Sequence, residues 1–325
     1  ADVLAGVDLV RFWKALTPIV ETALDAAEPA MRSPRPHDDE STTDALEILH
    51  ATTVLAHACI ADPERKAPDE LIDVAASLHD IIFDLVDPSA SDLQAAIVDL
   101  CEAWWLSERD GRDELVPQCV SYMLVRALHD MATTADIKRL YAFRSSLTVL
   151  DYADESVGPL KRLLLHCAIR PLILRCAEGR KLVAYFFSLH VPFIAELHRA
   201  IKSQIPACRK QQREAYGEVY FRAWRNSTGP YQSKMEEDCL QDLMFHGLHA
   251  ASTGMISAIR QVLAFTNDQK RQRGVDAMLL KLWGPILWRA LQVANPNVRN
   301  NAATLFIEAF PLADPTMPAV ELDQQ

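Results

Sequence analysis

Glycine is scarce in this chain, 10 residues in 325, and those present assemble no nucleotide-binding loop. There is no Walker-type phosphate loop, no Gly-x-Gly-x-x-Gly, and no Gly-x-Ser-x-Gly nucleophile elbow. The Val-Ile-Thr alternation typical of strands is missing as well. No apolar run approaches the roughly 20 residues needed to cross a bilayer, and no secretory signal opens the chain. The chain begins on alanine, which reads as a fragment. Its cysteines, at 59, 101, 119, 167, 176, 208 and 239, are odd in number and form no Cys-x-x-Cys pair. That pattern argues for reduced, buried thiols in the cytosol or nucleus over a disulfide frame.

What is abundant is helix-forming, amphipathic sequence. Half the residues are hydrophobic and 24% charged, enough apolar surface for a sizeable interior. Leu9, Phe12, Trp13, Leu16, Ile19, Val20 and Leu24 give a first helix over 4–27, with Pro18 inside it. Residues 28–43, EPAMRSPRPHDDESTT, alone have linker composition and read as an exposed loop. Further helical periods fall at 44–60, 68–86, 91–105, 115–131 and 134–150. After an acidic turn at Asp151–Glu155 they continue at 158–169, 172–190, 191–205, 207–224, 232–248 and 255–265. Ser91 reads as the N-cap of its helix, which buries Leu93, Ile97, Leu100, Cys101 and Trp104.

The clearest unit lies at 274–315. Met278, Leu279, Leu282, Trp283, Ile286, Leu287 and Leu291 form one apolar stripe. Asn295-Pro296-Asn297 makes a corner, and Val298, Ala302, Leu305, Phe306 and Ala309 form the returning stripe. The run Pro-x-Val-Arg-x-x-Ala-x-x-Leu from Pro296 to Leu305 resembles the second helix of a HEAT repeat. Such a pair needs stacked neighbours to bury its stripe. With about 14 helices, or seven irregular pairs of roughly 40–47 residues, the expected fold is all-α. It is a HEAT-repeat α-solenoid, a single array over 1–325 whose best-formed repeat is 274–315.

Charge is unevenly spread. Residues 1–100 hold 6 Lys+Arg against 20 Asp+Glu, residues 101–198 hold 12 of each, and residues 199–299 hold 15 against 8. An acidic front and a basic back point to two partner surfaces, one of them able to meet a polyanion. The basic candidates are Arg209, Lys210, Arg213, Arg222 and Arg225 on one long helix. Lys270, Arg271 and Arg273 join them in a loop before the last pair. Dispersed along an array, they could form a track for phosphates. The plainer alternative pairs Arg213 and Arg222 with Glu214 or Glu218, and has Arg299 bond within the array.

Other chemistry is weakly signalled. His246 and His249 lie one turn apart but lack a zincin glutamate and a third ligand. Glu47-Ile-Leu-His50 is one copy of a motif that di-iron bundles use twice. Trp104, Trp105, Trp224, Trp283 and Trp288 sit among aliphatics at helical spacing, as core or seam residues. No catalytic residue, metal site or cofactor is expected.

Asp238-Cys239-Leu240-Gln241-Asp242-Leu243-Met244-Phe245-His246-Gly247-Leu248-His249 resembles a segment of the condensin II HEAT-repeat subunits of the G type. So do Val219-Tyr220-Phe221-Arg222-Ala223-Trp224, Pro285-Ile286-Leu287-Trp288-Arg289 and Val298 to Pro311. Asp99 to Trp105 and Asp151-Tyr152 are similar more loosely. The resemblance covers about residues 150–315 and implies the N-terminal HEAT region of a much longer nuclear, non-enzymatic subunit. It implies docking on the kleisin subunit that bridges an SMC ATPase heterodimer, in a complex with a second HEAT subunit. It also implies a share in holding duplex DNA during mitotic chromosome condensation, with no membrane role. The acidic first hundred residues depart from a simple DNA clamp. The alternative is an adaptor or cargo-binding solenoid of the nuclear-transport or phosphatase-scaffold type, without a nucleic-acid role.

Overall fold

The computed structural model describes residues 7–34, 39–60, 67–250, 253–273 and 277–309, with side chains described except at 253, 267–281, 308 and 309. Among these residues every regular element is a helix or helical turn, as expected of an all-α chain. The chain divides into two compact units, Ala1–Arg126 with Ala142–Asp151, and Ala127–Tyr141 with Tyr152–Gln325.

In the first unit the helices are α1 (Leu9–Ala26), α2 (Glu28–Arg32), α3 (Glu40–Ile60), α4 (Asp69–Asp80), α5 (Ser91–Leu106) and most of α6 (Pro117–Leu128). α1 runs through Pro18, whose missing N–H leaves the Lys14 carbonyl without its helical donor. Only Trp13, Val20 and Ala23 of α1 are buried, and Ile19, expected inside, is half exposed. Two expectations change here. The exposed loop foreseen at 28–43 is partly helical. Pro29 sits in the first turn of α2, where no backbone donor is needed, and Ala30 is buried. Asp39 accepts from the Thr42 amide and hydroxyl where α3 starts; residues 35–38 lie outside the described residues. Nor is Ser91 an N-cap. A 3-10 turn, Pro88–Ala90, precedes it, and Asp87 does the capping, accepting from the Ser89 amide and hydroxyl. Leu93, Ile97, Leu100, Cys101 and Trp104 are all buried as foreseen. Each such aliphatic contributes about 1.5–3 kcal/mol.

The second unit takes part of α7 (Thr134–Phe143), then α8 (Gly158–Ile169), α9 (Pro171–Arg175), α10 (Ala177–Phe186), α11 (Val191–Gln204) and α12 (Lys210–Asn226). α13 (Gly229–Lys234), a π-helical turn at Met235–Gln241, α14 (Asp242–His249), α15 (Thr253–Arg273), α16 (Ala277–Gln292) and α17 (Pro296–Ala309) complete it. Several helices foreseen as continuous are broken by such turns: 134–150 ends in a 3-10 turn at Arg144–Val149, and 232–248 holds the π turn. Helices α16 and α17 are the antiparallel pair foreseen at 274–315, packed on each other. Residues 310–315 lie outside the described residues. Asn301 of α17 donates to the Leu248 carbonyl of α14, 53 residues back in the chain. Trp13, Trp104, Trp105, Trp224 and Trp283 are buried, whereas Trp288 is 46% exposed against Phe306.

The most extensive helix contact among the described residues is α12 on α15. On α12, Tyr216, Val219, Tyr220, Ala223 and Trp224 recur at helical spacing and are buried. Gly217 lets the backbones meet, since a Cβ there would lie 2.5 Å from the Val262 carbonyl oxygen and 2.8 Å from Phe265 Cβ. Gly217→Ala should therefore destabilise the second unit by about 1–3 kcal/mol, the usual cost of overpacking. A urea unfolding midpoint unmoved by the substitution would show that α15 can retreat freely.

Candidate nucleic-acid interface

The basic face of α12 is built from its first turn. A 3-10 turn, Ile205–Ala207, ends α11 and turns the chain into α12. The Arg209 amide donates to Gln212 Oε1 at 2.8 Å, closing the first turn, and the Arg209 and Lys210 side chains are exposed. Both line a cleft of about 1040 Å³ walled by α9, α10, α12 and α15. Lys210 lies 3.8 Å from Glu214, a loose exposed pair of little energetic weight. Arg225, at the other end of the helix, is exposed and has no partner among the described residues.

Arg213 is different. Its guanidinium donates to the carbonyls of Ile205 and Pro206 (3.2 and 3.1 Å) and to Gln261 Oε1 of α15 at 3.1 Å. It is a strut between α12, the preceding turn and α15, with its donors spent inside the protein. The expectation that it pairs with a neighbouring glutamate does not hold either. The helical period gives the reason, since Arg213 stands three and four residues before Tyr216 and Gly217, on the buried stripe.

Arg222 does pair within α12, with Nε 2.7 Å from Glu218 Oε1. The other oxygen of Glu218 accepts from Arg180 Nε of α10 at 2.5 Å. Arg180 Nη1 also bonds the Leu174 carbonyl at 3.1 Å, at the C-terminal end of α9. Glu218 is thus shared by two guanidiniums. Arg180 and the exposed Arg175, both on the cleft wall, were not among the sequence candidates. No local signal marks them, for they lie 30 and 35 residues before Lys210 in a stretch of balanced charge.

Lys270, Arg271 and Arg273 belong to the last turn of α15 and not to a loop, for no proline or glycine interrupts the sequence from Met255 to Arg273. Their side chains lie outside the described residues. Arg299 follows the structural alternative, donating to the Val293 and Ala294 carbonyls that end α16, both at 2.7 Å. His246 donates to the Asp242 carbonyl at 2.9 Å, while His249 stacks on Phe245. Among the described residues no three His, Cys, Asp or Glu side chains cluster to hold a metal. No helix there is long and apolar enough to cross a membrane.

A second polar centre escaped sequence reading. Buried His198 of α11 lies 2.8 Å from both the Tyr220 hydroxyl and Asp242 Oδ2, and Lys202 Nζ reaches the same oxygen at 2.7 Å. With its proton on Nε2, His198 donates to Asp242 and accepts from Tyr220, so every partner is satisfied. Burial pushes the Asp242 carboxyl up, but the hydrogen bonds from His198 and Lys202, with the Lys202 charge, outweigh that and hold it at about 2. Burial likewise pushes the Tyr220 phenol well up, so it stays protonated.

With the geometry in place, comparison with known proteins is decisive. Residues 166–314 match the family described as condensin II non structural maintenance of chromosomes subunit. The chain belongs to the condensin II non-SMC subunit family. Human condensin-2 complex subunit G2 is 35% identical over 285 residues, 86% of this chain and 25% of the human protein. The Xenopus laevis subunit G2 is 33% identical over 328 residues, 97% of this chain and 28% of its own length. The zebrafish protein, Danio rerio subunit G2, is 32% identical over 88% of the chain. The chain thus spans about a quarter of the length of these relatives. The family match contains α12, α15 and the cleft.

Two stability measurements separate the roles assigned above. Arg213→Ala should cost about 1–3 kcal/mol through orphaned carbonyls, while Arg209→Ala stays within about 0.5 kcal/mol. Equal urea midpoints would remove Arg213 as a strut. A carboxyl held below its unfolded value stabilises above pH 3.8 and loses that stabilisation as pH falls toward about 2. Asp242→Asn should lower stability at neutral pH and flatten its decline over that window; an unchanged acid profile would contradict the network.

Proposed function

We propose that this chain is part of a non-enzymatic scaffold subunit of condensin II, acting in the nucleus in mitotic chromosome condensation. In this reading the helix pairs are HEAT-type units of one array. The array docks on the kleisin subunit, and through it joins the SMC ATPase heterodimer and the second HEAT subunit. The observation that carries the reading is the family match, which spans the basic region of the chain. Support for a share in duplex DNA binding comes from the exposed cations Arg209, Lys210 and Arg225, with Lys270, Arg271 and Arg273 as the remaining members of the track. Arg213 and Arg222 are withdrawn from it, because their guanidiniums already serve internal carbonyls and Glu218.

The phosphate term makes this measurable. Each neutralised phosphate adds about −0.9 to the slope of log affinity against log salt. Fluorescence anisotropy of a labelled duplex across a salt series should give a negative slope. The triple variant Arg209→Glu, Lys210→Glu and Arg225→Glu should make it shallower by about 3. An affinity and slope unchanged by the triple reversal would take α12 out of the DNA interface. Absence of binding at low salt, with capture of the kleisin retained, would leave a protein-docking scaffold alone.

A further inference from the structure

We propose that the cleft between α9, α10, α12 and α15 docks an acidic segment of a partner protein carrying an apolar anchor residue. This rests on the scaffold reading and names a partner for its basic side. The cleft has three properties that a track for nucleic-acid phosphates does not require. Its volume of about 1040 Å³ lies at the upper limit of the roughly 300–1,000 Å³ of compact ligand sites. Several residues of a chain fit such a space better than a small metabolite. Part of its lining is apolar: Leu174 from α9, Ala215 from α12, and Ala264 and Phe265 from α15. A sugar-phosphate backbone has no side chain to set on that floor, whereas a peptide presents an aliphatic or aromatic group every few residues.

Charge selects the sign of the partner. Arg175 and Arg209 are exposed on the cleft lining without a partner among the described residues, and Lys210 stands beside them in only a loose pair. The acidic group deepest in the lining, Glu218, is already shared between Arg180 and Arg222 and presents little net negative charge. A carboxylate entering the cleft therefore finds guanidinium donors, whereas a cation finds only Glu214, which Lys210 already attends. The wall also offers hydrogen bonds for a peptide backbone. Gln212 and Gln261 both line it with their Oε1 atoms occupied, by the Arg209 amide and by Arg213. Their NH₂ ends are left as donors for passing carbonyls. The Arg213 strut fixes Gln261, so this wall is preorganised and loses little entropy on binding.

The test is selection of a phage-displayed library of short random peptides on the purified chain. The most enriched peptide is then made with a fluorescein label and titrated by anisotropy. Enriched sequences should carry Asp or Glu on either side of Leu, Ile or Phe. Two variants address the cleft while sparing the packed interior. Arg175→Glu reverses an exposed rim charge, and Ala264→Trp places an indole on an exposed part of the wall. Each should weaken the labelled peptide by about tenfold or more, the loss of one charge-assisted contact or of the anchor's seat. Arg225→Glu, away from the cleft, should leave peptide affinity within about twofold while lowering the DNA salt slope. Enrichment of basic or charge-free sequences, no enrichment, or peptide binding indifferent to both cleft variants overturns the proposal. Loss of the DNA effect with peptide binding intact overturns only the nucleic-acid reading.

Discussion

The second unit depends on two helices meeting at backbone distance, α12 and α15 at Gly217. A residue with a Cβ would hold them apart, and everything on the basic face is referred to that contact. Phe265, one turn along α15, reaches Phe221 edge-on at 5.7 Å. Gln261, on the same helix, accepts from Arg213. The floor of the cleft and its polar wall are thus set by one close approach. Gly179 does the corresponding work between α10 and α9, where a Cβ would collide with the Ile173 carbonyl. Arg180 beside it then closes over the end of α9 and carries Glu218 of α12 with it.

The arginines of one helix consequently divide into two populations by azimuth. Arg213 faces α15 and has its guanidinium shared among three acceptors; its loss leaves carbonyls without donors. Arg222 shares a half-buried glutamate with Arg180, a bridge whose breaking would leave two like charges without their common partner. Arg209, Lys210 and Arg225 face solvent, where a pair contributes little to stability and a polyanion can displace it. Counting positive residues in a window therefore overstates the charge available to a ligand. On α12 three of the five remain available, Arg209, Lys210 and Arg225.

The fold class was legible because apolar residues repeat at helical spacing over nearly the whole chain and strand alternation is missing. The buried stripe of α5 could be read residue by residue; of the α16–α17 stripe Leu282, Trp283, Leu287, Val298, Ala302 and Leu305 are buried, and Ile286, Leu291 and Phe306 half-buried. Breaks within helices were harder. The π turn at Met235–Gln241 leaves the apolar period intact, and its buried Glu236 is met by Trp224 Nε1 and Gln232, partners chosen by tertiary packing. Residues 28–43 misled in the opposite direction. Their proline and charge content is that of a linker, yet Pro29 at a first turn is compatible with a helix. At the site, Arg213 was misassigned although its spacing to Tyr216 and Gly217 marks it as inward-facing. Arg175, Arg180 and the His198–Tyr220–Asp242–Lys202 centre had no local signal. They are assembled from residues 22 to 44 apart, and only the packed structure brings them together.

That centre bears on how the basic face is held. Asp242 follows directly on the π turn and accepts from His198 and Lys202 of α11, while the Tyr220 hydroxyl of α12 bonds the other nitrogen of His198. Three helices are therefore joined through His198 and its carboxylate on the buried side of α12, whose exposed side carries Arg209, Lys210 and Arg225. A helix fixed so firmly from behind can present charge without reorganising when a ligand arrives. The cost of binding then falls on the flexible side chains alone, about 0.5–1.5 kcal/mol for each one immobilised. A short row of cations on a rigid support is therefore enough for a weak, salt-sensitive contact.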